Sequence, residues 1–277
     1  MRYALGVIGS LCGGLLLWAD FASAGWVIDQ VTKGSNERQQ IIVQNNQVKI
    51  SVLDSNGQPE TVTLLDTEAQ SLTVVDFQKR YYMTSTLQEY RELMTNIQKK
   101  VAPKMAEAMQ KMQEQMKGLP LEQRKMMEQM MGSRMSQMSQ DQTCTEPPAA
   151  EVRKTDQRDT IAGYSAVRYD VEVDGKADSQ LWIAKDITVG QELDPEKMER
   201  FRRELAVIAA CRPMKQHAIG ESQAWRLVKE GYPARMVHGE SGRVVEVVKA
   251  EKREVPAAEL APPKGFLKKT PQDMFKM

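Results

Sequence analysis

The sequence predicts an α+β protein, an antiparallel sheet interrupted by a methionine-rich helical hairpin. Three observations carry this. Apolar residues alternate with polar ones between short turn signals from Trp26 to Met83. From Leu87 to about Ser139 the apolar spacing changes to threes and fours. Alternation then returns at Ile161 and continues, around one further helical stretch, to Val248. Period two between turns describes strands with one wet face, and a three-to-four spacing describes a helical stripe.

The first strands follow one another closely. Ile41 and Val43 alternate with polar neighbours up to an Asn45-Asn46 turn, and Val48, Ile50 and Val52 continue on one face. Asp54-Ser55-Asn56-Gly57 is a second turn, because Asn and Gly tolerate a left-handed backbone. Val62 and Leu64, Leu72 to Val75, and Tyr81 to Met83 complete a meander, the last two separated by Gln78-Lys79.

The inserted hairpin spans about 86–140. Thr86 with Glu89 forms a capping box, in which each group satisfies a free donor of the other's backbone. Leu87, Tyr90, Met94, Ile97, Val101, Met105, Ala108, Met112 and Met116 form one stripe, with Pro103 expected to kink or break it. Gly118 and Pro120 stop the helix and start another, which carries Met127, Met130, Met131, Met135 and Met138.

Asp141 to Asp156, with Pro147-Pro148, reads as a linker. Val167, Tyr169, Val171 and Val173 form the next strand, Asp174-Gly175 turns it, and Leu181 to Ala184 returns. Asp194 caps a helix that has Pro195 at its first position and Met198, Phe201, Leu205 and Ile208 on its apolar stripe. Trp225–Val228, Ala234–His238 and Arg243–Val248 read as a closing antiparallel set.

The beginning of the chain reads as an export signal over residues 1–24. Arg2 supplies a positive start, Tyr3 to Trp18 carries no charge, and Ala22-Ser23-Ala24 is a small-x-small cleavage pattern. Asp20 cuts the apolar run short of the ~20 residues a membrane span needs. Leu11 before Cys12 is the wrong residue for lipid attachment. Cleavage is expected after Ala24, leaving 25–277 as a single domain in the periplasm, or outside the cell, with no transmembrane segment. Cys144 and Cys211 would then lie in an oxidising space, either as a disulfide or as two buried thiols. A bond closing so long a loop would contribute roughly 4 kcal/mol in the chain-entropy model.

The landmarks, taken in order, resemble a family of secreted bacterial proteins built on domain of unknown function 4412. They are Val75-Asp76-Phe77-Gln78-Lys79-Arg80-Tyr81-Tyr82, the methionine-rich Leu121 to Met131, Thr160-Ile161-Ala162-Gly163-Tyr164, Leu181-Trp182-Ile183-Ala184-Lys185-Asp186, Gly231-Tyr232-Pro233-Ala234-Arg235 and the tail Val255 to Phe266. Each is a strand, turn or helix rather than a reactive cluster. The resemblance implies a curved, half-barrel-like antiparallel sheet closed by helices, similar to the periplasmic lipoprotein carriers. It transfers no catalytic residue.

The composition narrows the function classes. With 38 basic and 37 acidic residues the net charge is +1, which gives no general attraction for nucleic acid. Aromatic residues are only 6% of the chain, too few for a stacking platform. His217 and His238 are the only histidines, and no metalloprotease, phosphate-loop or dinucleotide pattern accompanies them. An enzyme is not expected, and no cofactor is implied.

Ten of the 18 methionines fall between Met105 and Met138, and this cluster admits three readings. It can be ordinary core packing, since methionine fills irregular gaps. It can be an adaptable surface for a lipid, a hydrophobic peptide or an envelope protein partner, with Met105, Met109, Met112 and Met116 on it. It can also hold Cu(I) through Met127, Met130, Met131 and Met135, because thioethers are soft ligands. Tyr169, Trp182 and Trp225 are the aromatic candidates for lining a ligand groove. The leading expectation is non-enzymatic binding of an apolar ligand. Docking to an envelope partner through the hairpin comes second, and copper third.

Overall fold

In the computed structural model the described residues are 23–93, scattered helical positions from there to 111, 150–239 without 211–226, 241–270 and 273. Twelve strands form one open sheet in the order β12-β6-β5-β4-β3-β2-β1-β11-β10-β9-β8-β7. The first wing is β1 (Ser23–Thr32), β2 (Arg38–Gln44), β3 (Gln47–Leu53), β4 (Pro59–Asp66), β5 (Ser71–Asp76) and β6 (Tyr81–Thr86). The second is β7 (Ala150–Ile161), β8 (Tyr164–Val173), β9 (Lys176–Ala184), β10 (Tyr232–His238) and β11 (Val244–Val255). Every pair is antiparallel except that of β12 (Leu267–Lys269), which runs parallel to β6.

Tight turns set these registers. Asn45 and Asn46 both take positive φ (46° and 64°), as do Asp174 and Gly175 (52° and 71°). That twist matches the strands it joins. The Asp54 carboxylate accepts the amides of Asn56 and Gln58, at 2.9 and 2.7 Å, and holds the second turn.

The sheet curls. Although β8 and β11 are separated by β9 and β10 in the sheet, the Tyr164 hydroxyl donates to the Ala250 carbonyl at 2.9 Å. Arg235 on β10 likewise reaches Asp159 on β7 at 2.6 Å. The face inside this curl carries the main core, including Trp26, Ile28, Val43, Val48, Ala166, Ala184 and Ala234.

Two helices lie over that face. The first, α1, begins at 87, and positions 87–93, 95, 96, 99, 103, 107 and 111 are helical. The expected capping box is present, with Thr86 N–H donating to Glu89 Oε2 at 2.8 Å and Glu89 N–H donating to Thr86 Oγ1 at 3.1 Å. Pro103 itself is helical, as are 107 and 111 beyond it. The second helix, α2 (Pro195–Ala210), starts under an Asp194 cap whose Oδ1 accepts the amides of Glu196 and Lys197. Met198 and Phe201 from α2, with Ile187, Val189 and Leu193 before it, fill the core.

Two expectations are corrected. The linker expected over Asp141 to Asp156 ends earlier, because 150–156 already belong to β7. Its polar residues fit there since β7 is the sheet's edge strand, where charge blocks further pairing. The strand expected at Trp225–Val228 is instead, over its described part, a 3-10 turn at Leu227–Lys229, which packs Leu227 and Val228 into different clusters.

The opposite face of the first wing is crossed by the tail. Leu260, in a 3-10 turn at Ala257–Leu260, packs on Val27, Ile42 and Val255. Phe266 then meets Phe77 edge-on at 5.2 Å and lies under the Arg80 guanidinium at 5.1 Å. Within 256–269 the chain passes from β11 to the far edge of the sheet.

Candidate functional site

Cross-strand register resolves the inner face of the first wing into rows. One runs Ser85, Leu72, Leu65, Val48, Val43 and Trp26, each paired with the next across adjacent strands. The next runs Met83, Val74, Thr63, Ile50, Ile41 and Ile28. A third, Tyr81, Asp76, Thr61, Val52, Gln39 and Gln30, is more polar. At about 4.8 Å per strand, the five spacings of the first row cover about 24 Å. Apolar character is therefore concentrated along one rim.

Both helices start from that same rim. Asn46, in the β2–β3 turn, donates its amide to Glu192 O at 2.8 Å and accepts the Asp194 amide on Oδ1 at 2.5 Å. Gln70, in the β4–β5 turn, accepts the Leu87 amide on its carbonyl at 2.9 Å and gives its side-chain Nε2 to Thr67 O and Lys197 O. Lys197 pairs with Glu68, and Arg91 of α1 pairs with Glu204 of α2. The Asp194 carboxyl is held below its ordinary range, chiefly by the Lys197 amide, so the cap stays ionised and strong.

Burial follows this geometry. Val43 and Val48 have no exposed surface and Trp26 only 6%, whereas Ile50, Val74 and Met83 in the next row are partly exposed. The helices thus cover Leu65, Val48, Val43 and Trp26, with Leu72 half-buried, and leave an apolar shelf beside them. Such a face can take up an acyl chain or a hydrophobic side chain by removing it from water, worth about 25 cal/mol per Å².

The second wing holds a charged cluster. Arg235 bonds Asp159 and Glu246, Glu246 also meets Lys33 at 2.9 Å, and the Arg235 guanidinium lies 5.5 Å from the Trp182 ring centre. Burial pushes the Glu246 carboxyl up, but hydrogen bonds from Lys33 and Arg235 outweigh it and hold the group below its usual range. Arg235 is shared between two carboxylates, so this cluster ties β7 to β10 and β11 and is poorly suited to capturing an anion.

Of the aromatic candidates, Tyr169 and Trp182 are both on the second wing but belong to different packing groups. Tyr169 is buried with Val167, Val171, Leu181 and Ile183 and donates to Glu230. Burial and that carboxylate raise its phenol to about 12. Trp182 packs against the main core under Arg235. The two do not line one groove. Trp225, Met105, Met109, Met112, Met116, Met127, Met130, Met131, Met135, Cys144 and Cys211 lie outside the described residues, as does the second helix of the expected hairpin. No helix among the described residues is long and apolar enough to cross a membrane.

Sequence reasoning identified the apolar strand residues but not their rows, nor Asn46, Gln70 and Arg91 as the groups that root the helices. Asn45-Asn46 was visible as a turn, and nothing in the pattern of the chain connects it to Asp194.

A family model described as domain of unknown function (DUF4412) matches residues 78–266. No curated protein matches the chain. Among solved structures, an uncharacterized conserved protein from Thermus thermophilus is similar at 10% identity and a TM-score of 0.41, over 91% of this chain and 92% of that one. PNGF-II, solved in a C2 space group, is similar at 10% identity and a TM-score of 0.40, over 92% of this chain but 32% of its own length.

Proposed function

This chain belongs to the DUF4412 family, and on that premise we propose that it is a non-enzymatic binding protein for an apolar ligand: a lipid, an acyl chain or a hydrophobic peptide. The observation that carries the reading is the partly exposed shelf of Ile50, Val74 and Met83 beside buried Leu65, Val48 and Val43, under two helices rooted at one rim. Helices anchored at one end can lift from the sheet without breaking its hydrogen bonds. The curled open sheet then acts as a half-barrel, and the methionine-rich segment of about 86–140 extends its cover as a helical hairpin. An export signal at 1–24 puts this work in the periplasm, where no nucleotide is at hand to drive transfer and passive binding suits the compartment.

The test is native mass spectrometry of protein purified from its own envelope, with titration of a fluorescent fatty acid. Co-purifying lipid and saturable binding, weakened by Ile50→Asp on the shelf, are expected. Protein free of lipid that also fails to bind the probe would sink the reading. A protein partner recovered instead by crosslinking in cells, and lost on deleting 105–138, would favour docking through the hairpin.

A further inference from the structure

The far edge of the first wing, where the tail joins it, is a basic surface with an exposed leucine at its centre. Along β12, Leu267 pairs with Tyr81, Lys268 with Tyr82 and Lys269 with Met83, and the Leu267 amide donates to Arg80 O at 3.0 Å. Lys79 and Arg80 end the β5–β6 turn, and the Arg80 guanidinium lies over Phe266, the residue before Leu267. Lys264 stands two positions before Phe266. Lys79, Arg80, Lys264, Lys268 and Lys269 thus gather around Leu267, and the only acidic residues within 76–82 and 261–273 are Asp76 and Asp273.

Little in the fold neutralises these cations. Arg80 and Lys269 lie over the rings of Phe266 and Tyr81, at 5.1 and 4.4 Å, contacts that orient a cation and leave its charge in place. Lys79 reaches Asp76 only at 4.0 Å, and Asp273 accepts the Thr270 amide and hydroxyl. Lys264 and Lys268 are exposed, with no ion pair among the described residues. Leu267 is 64% exposed, more than any other large apolar side chain among those residues. Val248, at 52%, is a useful contrast, because its neighbour Lys249 is paired with Glu251. A free anion would answer the cations alone, and an apolar peptide the leucine alone. An anionic bilayer offers phosphates and hydrocarbon together.

We propose that this edge docks on an anionic phospholipid surface, with Leu267 entering the acyl boundary and the five cations meeting head-group phosphates. Long lysine stems let the ammonium groups stay at phosphate level while the leucine goes deeper. The dock lies at one end of the shelf: Lys269 pairs with Met83, and Met83, Val74, Thr63 and Ile50 follow one another across β6 to β3. An acyl chain leaving the bilayer therefore has one short strand to cross before it meets the shelf. That use of the dock rests on the apolar-ligand reading, whereas the docking itself does not.

The experiment is sedimentation of the full-length protein with vesicles of phosphatidylglycerol and phosphatidylethanolamine, against vesicles of phosphatidylcholine. Binding to the anionic vesicles should be at least about tenfold tighter. It should be lost between about 0.1 M and about 1 M salt, as the screening length falls from about 10 Å to about 3 Å. Lys264→Glu with Lys268→Glu should weaken it more than about tenfold. Leu267→Ser should weaken it about fivefold and leave the residual binding salt-sensitive. The three side chains are exposed, so the variants should melt with the parent and bind a fluorescent fatty acid in solution as it does. Equal binding to both kinds of vesicle, or variants that sediment like the parent, overturns the dock and leaves the apolar-ligand reading standing. Equally tight retention on double-stranded DNA, or indifference to Leu267→Ser, overturns the assignment to a membrane. Vesicle binding by a protein that takes up no fatty acid supports the dock and counts against the apolar-ligand reading alone.

Discussion

The two wings of the sheet use similar strands but are held in shape differently. In β1–β6 each strand pairs with its neighbour in sequence through a short turn, and the side-chain bonds between these strands are local, such as Gln40 to Asp29 and Thr73 to Thr84. In β7–β11 the decisive ties are long-range. Tyr164 and Ala250 are 86 residues apart, and Arg235 and Asp159 are 76. Local pairing loses little loop entropy as it forms, whereas distant ties are made only once most of the chain is ordered. The first wing therefore presents a regular apolar surface, and the second bends to close one side of it. On the proposed reading, ligand capture belongs to the regular wing and curvature to the tied one.

Gly231→Ala should produce the largest effect and separate the wings most sharply. Gly231 has φ +146°, and a Cβ there would sit 2.3 Å from Ala184 O. A loss of about 3 kcal/mol in urea unfolding is expected, from backbone strain and the clash together. Amide exchange should quicken in β9 and β10 before β2 to β4. Equal loss of protection in both wings would show that they open as one unit and would break the comparison.

A smaller effect is expected from Arg235→Met. Arg235 is about one-fifth exposed, so after solvent screening its loss should cost about 1 kcal/mol. Its pH signature is more telling. Glu246 has a folded-state pKa below the ordinary 4.5, so its contribution is present above that value and is lost as pH falls through the folded pKa. Stability of the parent should fall on acidification below about pH 4.5, and the variant should show a shallower fall. Identical slopes would mean that the latch does not hold the curl.

Thr86→Ala sharpens the comparison from the other wing. It removes the Oγ1 that caps α1 at an exposed position and should cost about 1 kcal/mol. Far-UV circular dichroism should lose helix while exchange in β1–β5 stays unchanged. Protection lost across β1–β5 would mean that the cover and the sheet do not act separately.

Much of the fold was legible because it is written locally. Alternation at Val48, Ile50 and Val52, the Asn45-Asn46 and Asp174-Gly175 turns, and the caps at Thr86 and Asp194 each act within a few residues. The misread segment at 150–156 has a physical explanation. A polar edge strand lacks the alternation that identifies a half-buried one, and pairing with β8 gave it its structure. The candidate site was less legible. Asn46, Gln70 and Arg91 are ordinary in sequence, and they stand out only because register and helix placement bring them to Asp194, Lys197 and Glu204.

The sequence by itself determined the class of the protein, most of its strands and turns, and the starting points of both described helices, since periodicity and capping are short-range physics. Tertiary structure decided which residues share a row, which rim roots the helices and how far the second wing curls. Those depend on register added up over successive strand pairs and on bonds between residues dozens of positions apart, which no local pattern encodes. The row from Ser85 to Trp26 joins six strands. It exists only when every one of those pairings is in place.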